Sequence, residues 1–139
     1  MEKIWIFANE QEYKQQEGET PEKILEYYGE KLNEDSNELL EYSIHTDFIQ
    51  DSNAVKRTLL YADVPRQYEI RLFEIIYYFD NIYPCKFYSY LTENRYDCTT
   101  KEILKQRIEE EIANKRLMAK LTNLLHHFYD KEEIEKLIK

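Results

Sequence analysis

Between Leu39 and Leu91 apolar and polar side chains alternate with a period of two through most of the chain's middle, and that pattern commits the segment to strands with one face buried. Leu40, Tyr42, Ile44, Thr46 and Phe48 alternate with Glu41, Ser43, His45 and Asp47, which predicts a half-buried strand over 39–49. Asp51-Ser52-Asn53 has turn composition. Thr58, Leu60, Ala62 and Val64 then oppose Arg57, Leu59, Tyr61 and Asp63, a second strand over 55–64 that ends at Pro65. A third run, 66–79, is apolar on both sides toward its end, with Ile70, Leu72 and Ile76 against Phe73, Ile75 and Tyr77. It predicts a central strand covered on both faces. Asp80-Asn81 supplies another turn, and in 82–91 Cys85, Phe87 and Leu91 oppose Lys86, Tyr88 and Tyr90, with Pro84 near the start, where it need not donate to a ladder.

On either side of this block the period is helical. Thr20-Pro21 is a hydroxyl N-cap followed by proline at the first helical position, and Ile24, Leu25, Tyr28 and Leu32 recur at three and four. A helix is expected over about Pro21 to Leu32, with Glu22, Lys23, Glu26 and Glu30 on its outer face and Gly29 weakening it modestly. Asn94 to Cys98 reads as a connector. Thr99 and Glu102 match a capping box, and Leu104, Ile108 and Ile112 follow at intervals of four. The stripe resumes after a phase shift at Asn114 with Leu117, Leu121, Leu124, Leu125 and Phe128, so the helix either bends there or Asn114 caps a second one. Asp130 with Glu133 caps a short last helix bearing Ile134, Leu137 and Ile138. The expected fold is therefore α+β, a single domain over 1–139. A four-stranded antiparallel sheet is preceded by one helix and followed by two or three.

Charge narrows the partners. The chain carries 28 acidic against 19 basic side chains, a net −9, and such a charge repels phosphate backbones and anionic lipid surfaces within about a Debye length. Residues 1–55 hold 14 of the acidic side chains and only 4 lysines. The acidity thus belongs to the N-terminal part and suits a basic partner. The apolar run Ile4-Trp5-Ile6-Phe7 is too short for a secretory core or a membrane anchor, so a cytoplasmic location with Cys85 and Cys98 as free core thiols is expected.

Chemistry-bearing motifs are scarce. His45 lies on the polar side of its strand, and His126 and His127 are adjacent on a helix, where side chains diverge by about 100° and cannot share a metal. Glu109, Glu110 and Glu111 read as a solvated helix face beside Lys105 and Arg107. Gly18 and Gly29 are isolated, so no phosphate-cradling loop forms. No cofactor, metal or catalytic residue is expected. What stands out is tyrosine on the strands, 13 in the whole chain, interleaved with Arg57, Arg66, Arg71 and Lys86. Tyrosine and arginine are the side chains favoured at protein interfaces.

The functional expectation is a non-catalytic protein-binding module, a monomer or homodimer of the immunity or antitoxin-like kind that neutralises a basic partner protein. The expected contact residues are Glu22, Glu26, Glu30 and Glu34 on the helix, Glu41 and Asp47 on the first strand, and Tyr61, Tyr88 and Tyr90. An accessory subunit of a larger assembly is the alternative, followed by a nucleic-acid binder or an enzyme with a dispersed site.

Overall fold

The computed structural model describes residues 20–49 and 54–135. The Ile4–Phe7 run, the Asp51–Asn53 turn and the end of the expected last helix lie outside them. Helix α1 (Pro21–Asp35) is followed by strands β1 (Glu41–Phe48), β2 (Val55–Val64), β3 (Tyr68–Tyr78), β4 (Asn81–Ser89) and β5 (Arg95–Cys98). Helices α2 (Lys101–Ile112), α3 (Lys115–Phe128) and α4 (Lys131–Glu135) complete the described chain. The strands form one antiparallel meander in the order β1-β2-β3-β4-β5. The architecture is the expected α+β, with one strand more.

That strand, β5, is the segment expected to be a connector. It is four residues long, too short for its alternation to register, and it pairs Cys98 with Cys85 and Arg95 with Tyr88 along the outer edge of β4. Thr100 rather than Thr99 caps α2, accepting from the Ile103 N–H at 3.2 Å. Asn114 caps α3 by accepting from Arg116 and Leu117 at 2.8 and 3.2 Å, so the phase shift there is a break between two helices.

All the described helices pack on one face of the sheet. Ile24, Leu25 and Tyr28 of α1, Leu104 and Ile108 of α2, and Leu117 and Leu121 of α3 share a single buried cluster with Leu60, Phe73, Ile75 and Phe87 of the strands. A smaller cluster of Leu40, Val64, Leu125 and Ile134 joins the ends of α3 and α4 to the start of β1. Side chains of this size stabilise by about 1.5–3 kcal/mol each when removed from water.

The double-sided apolar pattern of the third strand has a different cause from the one expected. The ladder pairs Leu60 with Phe73 but Tyr61 with Arg71, so Leu72 is an extra residue in β3. This β-bulge changes the phase. Ile70, Leu72, Phe73, Ile75 and Tyr77 therefore all serve the helix-covered side, while Arg71, Glu74, Ile76 and Tyr78 serve the other. The strand is central but covered on one face by the described helices.

Candidate functional site

On the face away from the helices, register places two complete rows of side chains across all five strands. One row is His45, Leu59, Glu74, Tyr88 and Arg95, and its neighbour is Asp47, Arg57, Ile76, Lys86 and Asp97. Leu59 is buried although no described helix lies over it. The second row alternates acid, base, apolar, base, acid, a mixed surface rather than a field of one sign.

The rings and cations of this face touch in a continuous series. The His45 imidazole meets the Tyr61 ring edge-on at 4.8 Å. The Arg71 guanidinium lies between Tyr61 and Tyr90, 5.8 Å from each ring centre. Tyr90 meets Tyr88 edge-on at 4.7 Å, and Arg95 lies over Tyr88 at 4.9 Å. An aromatic–cation ladder thus runs from β1 to β5, each contact contributing about 0.5–1 kcal/mol at an exposed site. Its polar tips are tied down as well. The Tyr90 hydroxyl donates to Glu74 at 3.1 Å, and burial together with the Glu74 charge holds Tyr90 above the ordinary phenol range. Hydrogen bonding to Tyr90 and the nearby Tyr61 oxygen hold Arg71 above its ordinary value.

Arg57 is committed elsewhere. Its Nε and Nη2 donate to both Asp47 oxygens at 3.2 and 2.8 Å, a bidentate pair that lowers the Asp47 pKa, and Nε also lies 3.9 Å from Glu74. Toward β5 the surface sinks into a concavity of about 430 Å³ whose lining mixes the carboxylates Glu74 and Asp97 with the cations Lys86 and Arg95, beside Ile76, Tyr88 and Tyr90.

The expected contact residues fall into two groups. Tyr61, Tyr88 and Tyr90 belong to the ladder, and Asp47 and Glu41 lie on the same face at its β1 side. Glu22, Glu26, Glu30 and Glu34 do not join them, because α1 lies across the opposite face. Glu22 is half-buried and accepts from the Tyr77 hydroxyl at 3.4 Å, and Glu30, exposed as expected, accepts from the Tyr42 hydroxyl at 3.2 Å. Glu26 pairs with Lys23 at 3.5 Å, and Glu34 is exposed.

Arg95 and His45 complete the ladder, and neither was singled out from the sequence. Arg95 sits in the strand that the pattern missed. The sequence offers His45 only as a candidate base or metal ligand on the polar side of its strand. Glu111 corrects another expectation. It is buried, not part of a solvated face, and it accepts from Thr92 at 2.5 Å, Tyr96 at 2.6 Å and Asn94 at 2.9 Å, binding the β4–β5 connection to α2. Among the described residues no group of three or more His, Cys, Asp or Glu side chains could hold a metal ion, and no helix is long and apolar enough to cross a membrane. No family model, no curated protein and no solved structure matches the chain.

Proposed function

We propose that this chain is a non-catalytic protein-binding module that works through the sheet face that no described helix covers, as a small immunity or antitoxin-like inhibitor of a basic partner protein. The observation that carries the reading is the ladder itself. Five strands, with Tyr90 just past the end of β4, place three tyrosines, two arginines and a histidine in a continuous series of contacts on a face that no described helix covers. A structural sheet face in contact with water has no need of such a surface, whereas an interface gains from aromatic anchors whose conformations are already restricted. The acidic side chains of α1, together with Glu41, supply a negative field that accelerates encounter with a basic protein without touching it.

The test is to capture the binding protein on immobilised full-length chain and to follow association at two ionic strengths. The association rate should fall steeply with added salt, and Tyr61→Ala or Tyr88→Ala should raise the dissociation rate at least tenfold. A salt-insensitive rate would remove the electrostatic part of the reading, and indifference to both substitutions would remove the face.

A second reading, an accessory subunit docked through its helices, draws on the groove between α1 and α3. There Leu32, Met118, Leu121 and Leu125 line a concavity of about 260 Å³, with Met118 exposed. Gel filtration separates the two, since an obligate subunit self-associates or aggregates alone and an inhibitor runs as a monomer or dimer.

A further inference from the structure

The chain before Thr20 has a two-part composition. Ile4-Trp5-Ile6-Phe7 puts four large apolar side chains in a row, and residues 8–19 are a polar spacer with four glutamates and one lysine. An apolar run of this size is driven to find cover. The described fold offers a groove built in the same two parts. It runs along α1, with α2 and then α3 beside it, as three adjoining concavities of about 320, 80 and 260 Å³ that share walls first at Tyr28 and then at Leu32 and Met118. The part nearer Thr20 is polar, walled by Lys23, Tyr27, Lys105 and Glu109 beside Ile24 and Tyr28. The far part is walled mainly by Leu32, Ile112, Leu117, Met118, Leu121 and Leu125.

Reach and order both agree. Thr20 caps α1, and Leu32 lies about 18 Å further along the helix axis. The chain from Phe7 to Thr20 spans about 20 Å if helical and up to about 43 Å if extended, so it reaches the apolar part of the groove in either conformation. Folding back along α1 lays the polar spacer over the polar part and the apolar run over the apolar part. Charge agrees as well. Lys23, Lys31 and Lys105 outnumber Asp35 and Glu109 in the groove walls, and Glu109 is already engaged by the Tyr28 hydroxyl at 2.9 Å. Lys23 pairs with Glu26, but among the described residues Lys31 and Lys105 have no ion pair, and the spacer brings an excess of glutamate past them. The opposite sheet face is a poor match, because Glu74, Lys86, Arg95 and Asp97 would lose water beneath an apolar run and gain no partner.

We propose that Ile4-Trp5-Ile6-Phe7 docks in the groove between α1 and α3, against Leu32, Met118, Leu121 and Leu125, with residues 8–19 passing back along α1. A tether of this length holds the run at a roughly millimolar effective concentration, an advantage that no separate protein has for the same groove. The inference goes beyond the protein-binding reading and does not depend on it. It closes the helical side of the molecule with the chain's own residues, so that the groove is not a surface for joining a larger assembly and the opposite sheet face is the one left to a partner.

Trp5 is the single tryptophan of the chain, so its fluorescence, excited selectively beside the 13 tyrosines, reports on the seat directly. In the full-length chain its emission should lie to the blue of N-acetyltryptophanamide, and acrylamide should quench it several-fold less. Met118→Glu sets a carboxylate at a groove position that is 44% exposed, and it should return both readings toward the free amide while the far-ultraviolet dichroism stays unchanged. Thr122→Glu, also exposed on the groove wall, makes the same test should the first variant unfold. Tyr88→Ala, on the opposite face, should leave Trp5 unmoved. Protection should persist on dilution, since protection that fades with falling concentration belongs to the segment of a second copy and overturns the intramolecular seat. A Trp5 that quenches like the free amide overturns it outright, and so does protection indifferent to both groove variants. Protection lost in Tyr88→Ala instead would place the run on the sheet face, overturning the seat and the openness of the recognition face together. The first three failures leave the protein-binding reading to its own test.

Discussion

Glu111 is the one fully buried carboxylate among the described residues, and its surroundings decide its charge state. Burial raises its pKa, but hydrogen bonds from Thr92, Tyr96 and Asn94 outweigh that cost, and the net effect is a pKa below the ordinary glutamate value. A depressed folded-state pKa stabilises the fold above the unfolded value, near about 4.3, and that contribution is lost as pH falls through the lower folded value. Glu111→Gln replaces an acceptor of several donors by an amide that presents donors of its own, at a cost of about 2–3 kcal/mol near neutrality. Urea midpoints at neutral and acid pH check both statements: the wild-type midpoint should drop on acidification more than that of the glutamine variant. Parallel curves would show that some other carboxylate carries the acid sensitivity. A signal for this residue was present in the spacing, since Leu104, Ile108 and Glu111 continue one stripe at intervals of four and three. The carboxylate type argued for solvent, and only its partners, gathered from a turn and from β5, reverse that inference.

At the scale of elements, the distance between α1 and the sheet is set by Gly29. A Cβ built there would stand 2.5 and 2.6 Å from two atoms of the Tyr42 ring and 3.1 Å from a Leu60 methyl group. Gly29→Ala therefore gains roughly 1 kcal/mol of helix propensity but must push α1 off β1 and β2, an overpacking cost of about 1–3 kcal/mol. A net loss of up to about 2 kcal/mol is expected in a urea melt, and a rise in stability would show that the helix can shift without cost. Cys85 and Cys98 face each other across β4 and β5, both buried, and the hydrogen bond to Cys98 together with burial pushes the Cys85 thiol upward. Neither thiol should react with a maleimide in native buffer, and both should react in denaturant. Rapid labelling of the folded chain would mean that β5 and α2 open readily. These elements also show what a pattern can and cannot carry. Period two located β1 to β4 because each is long and half buried, and the cap at Thr20 located a helix start, whereas at Asn114 the pattern left a bend and a second helix both open. The bulge at Leu72 was hidden because one inserted residue turns a one-sided strand into an apparently two-sided one. For the same reason the open face could not be read in advance: which side of β3 was free depended on that residue. Tyr61, Tyr88 and Tyr90 were nevertheless identifiable, since each lies opposite the apolar positions of its own strand.

For the whole molecule, the consequence of packing every described helix on one side is a separation of stability from recognition. The covered face holds the large buried side chains, and Leu60, Phe73, Ile75 and Phe87 meet all three longer helices there. Apart from the buried Leu59, the other face holds pairwise contacts between exposed or half-exposed groups, each contributing little alone. Substitutions should therefore divide by face rather than by strand, even between residues one position apart. Leu60→Ala removes a side chain that is 1% exposed and should cost about 2–5 kcal/mol, a large part of the roughly 5–15 kcal/mol that a domain of this size possesses. Its neighbour Tyr61 points the other way, and Tyr61→Ala should cost about 1 kcal/mol or less, because it gives up an edge contact with His45 and a stacking contact with Arg71 rather than core volume. Thermal melts of the two variants, read beside capture of the binding protein, separate the effects. Leu60→Ala should lower the melting temperature and reduce capture only in proportion to the folded fraction, whereas Tyr61→Ala should leave the melt nearly unchanged and weaken capture directly. If instead both variants lose capture only as they unfold, the face that no described helix covers has no recognition role of its own, and the ladder of rings and cations is a device for holding strands together.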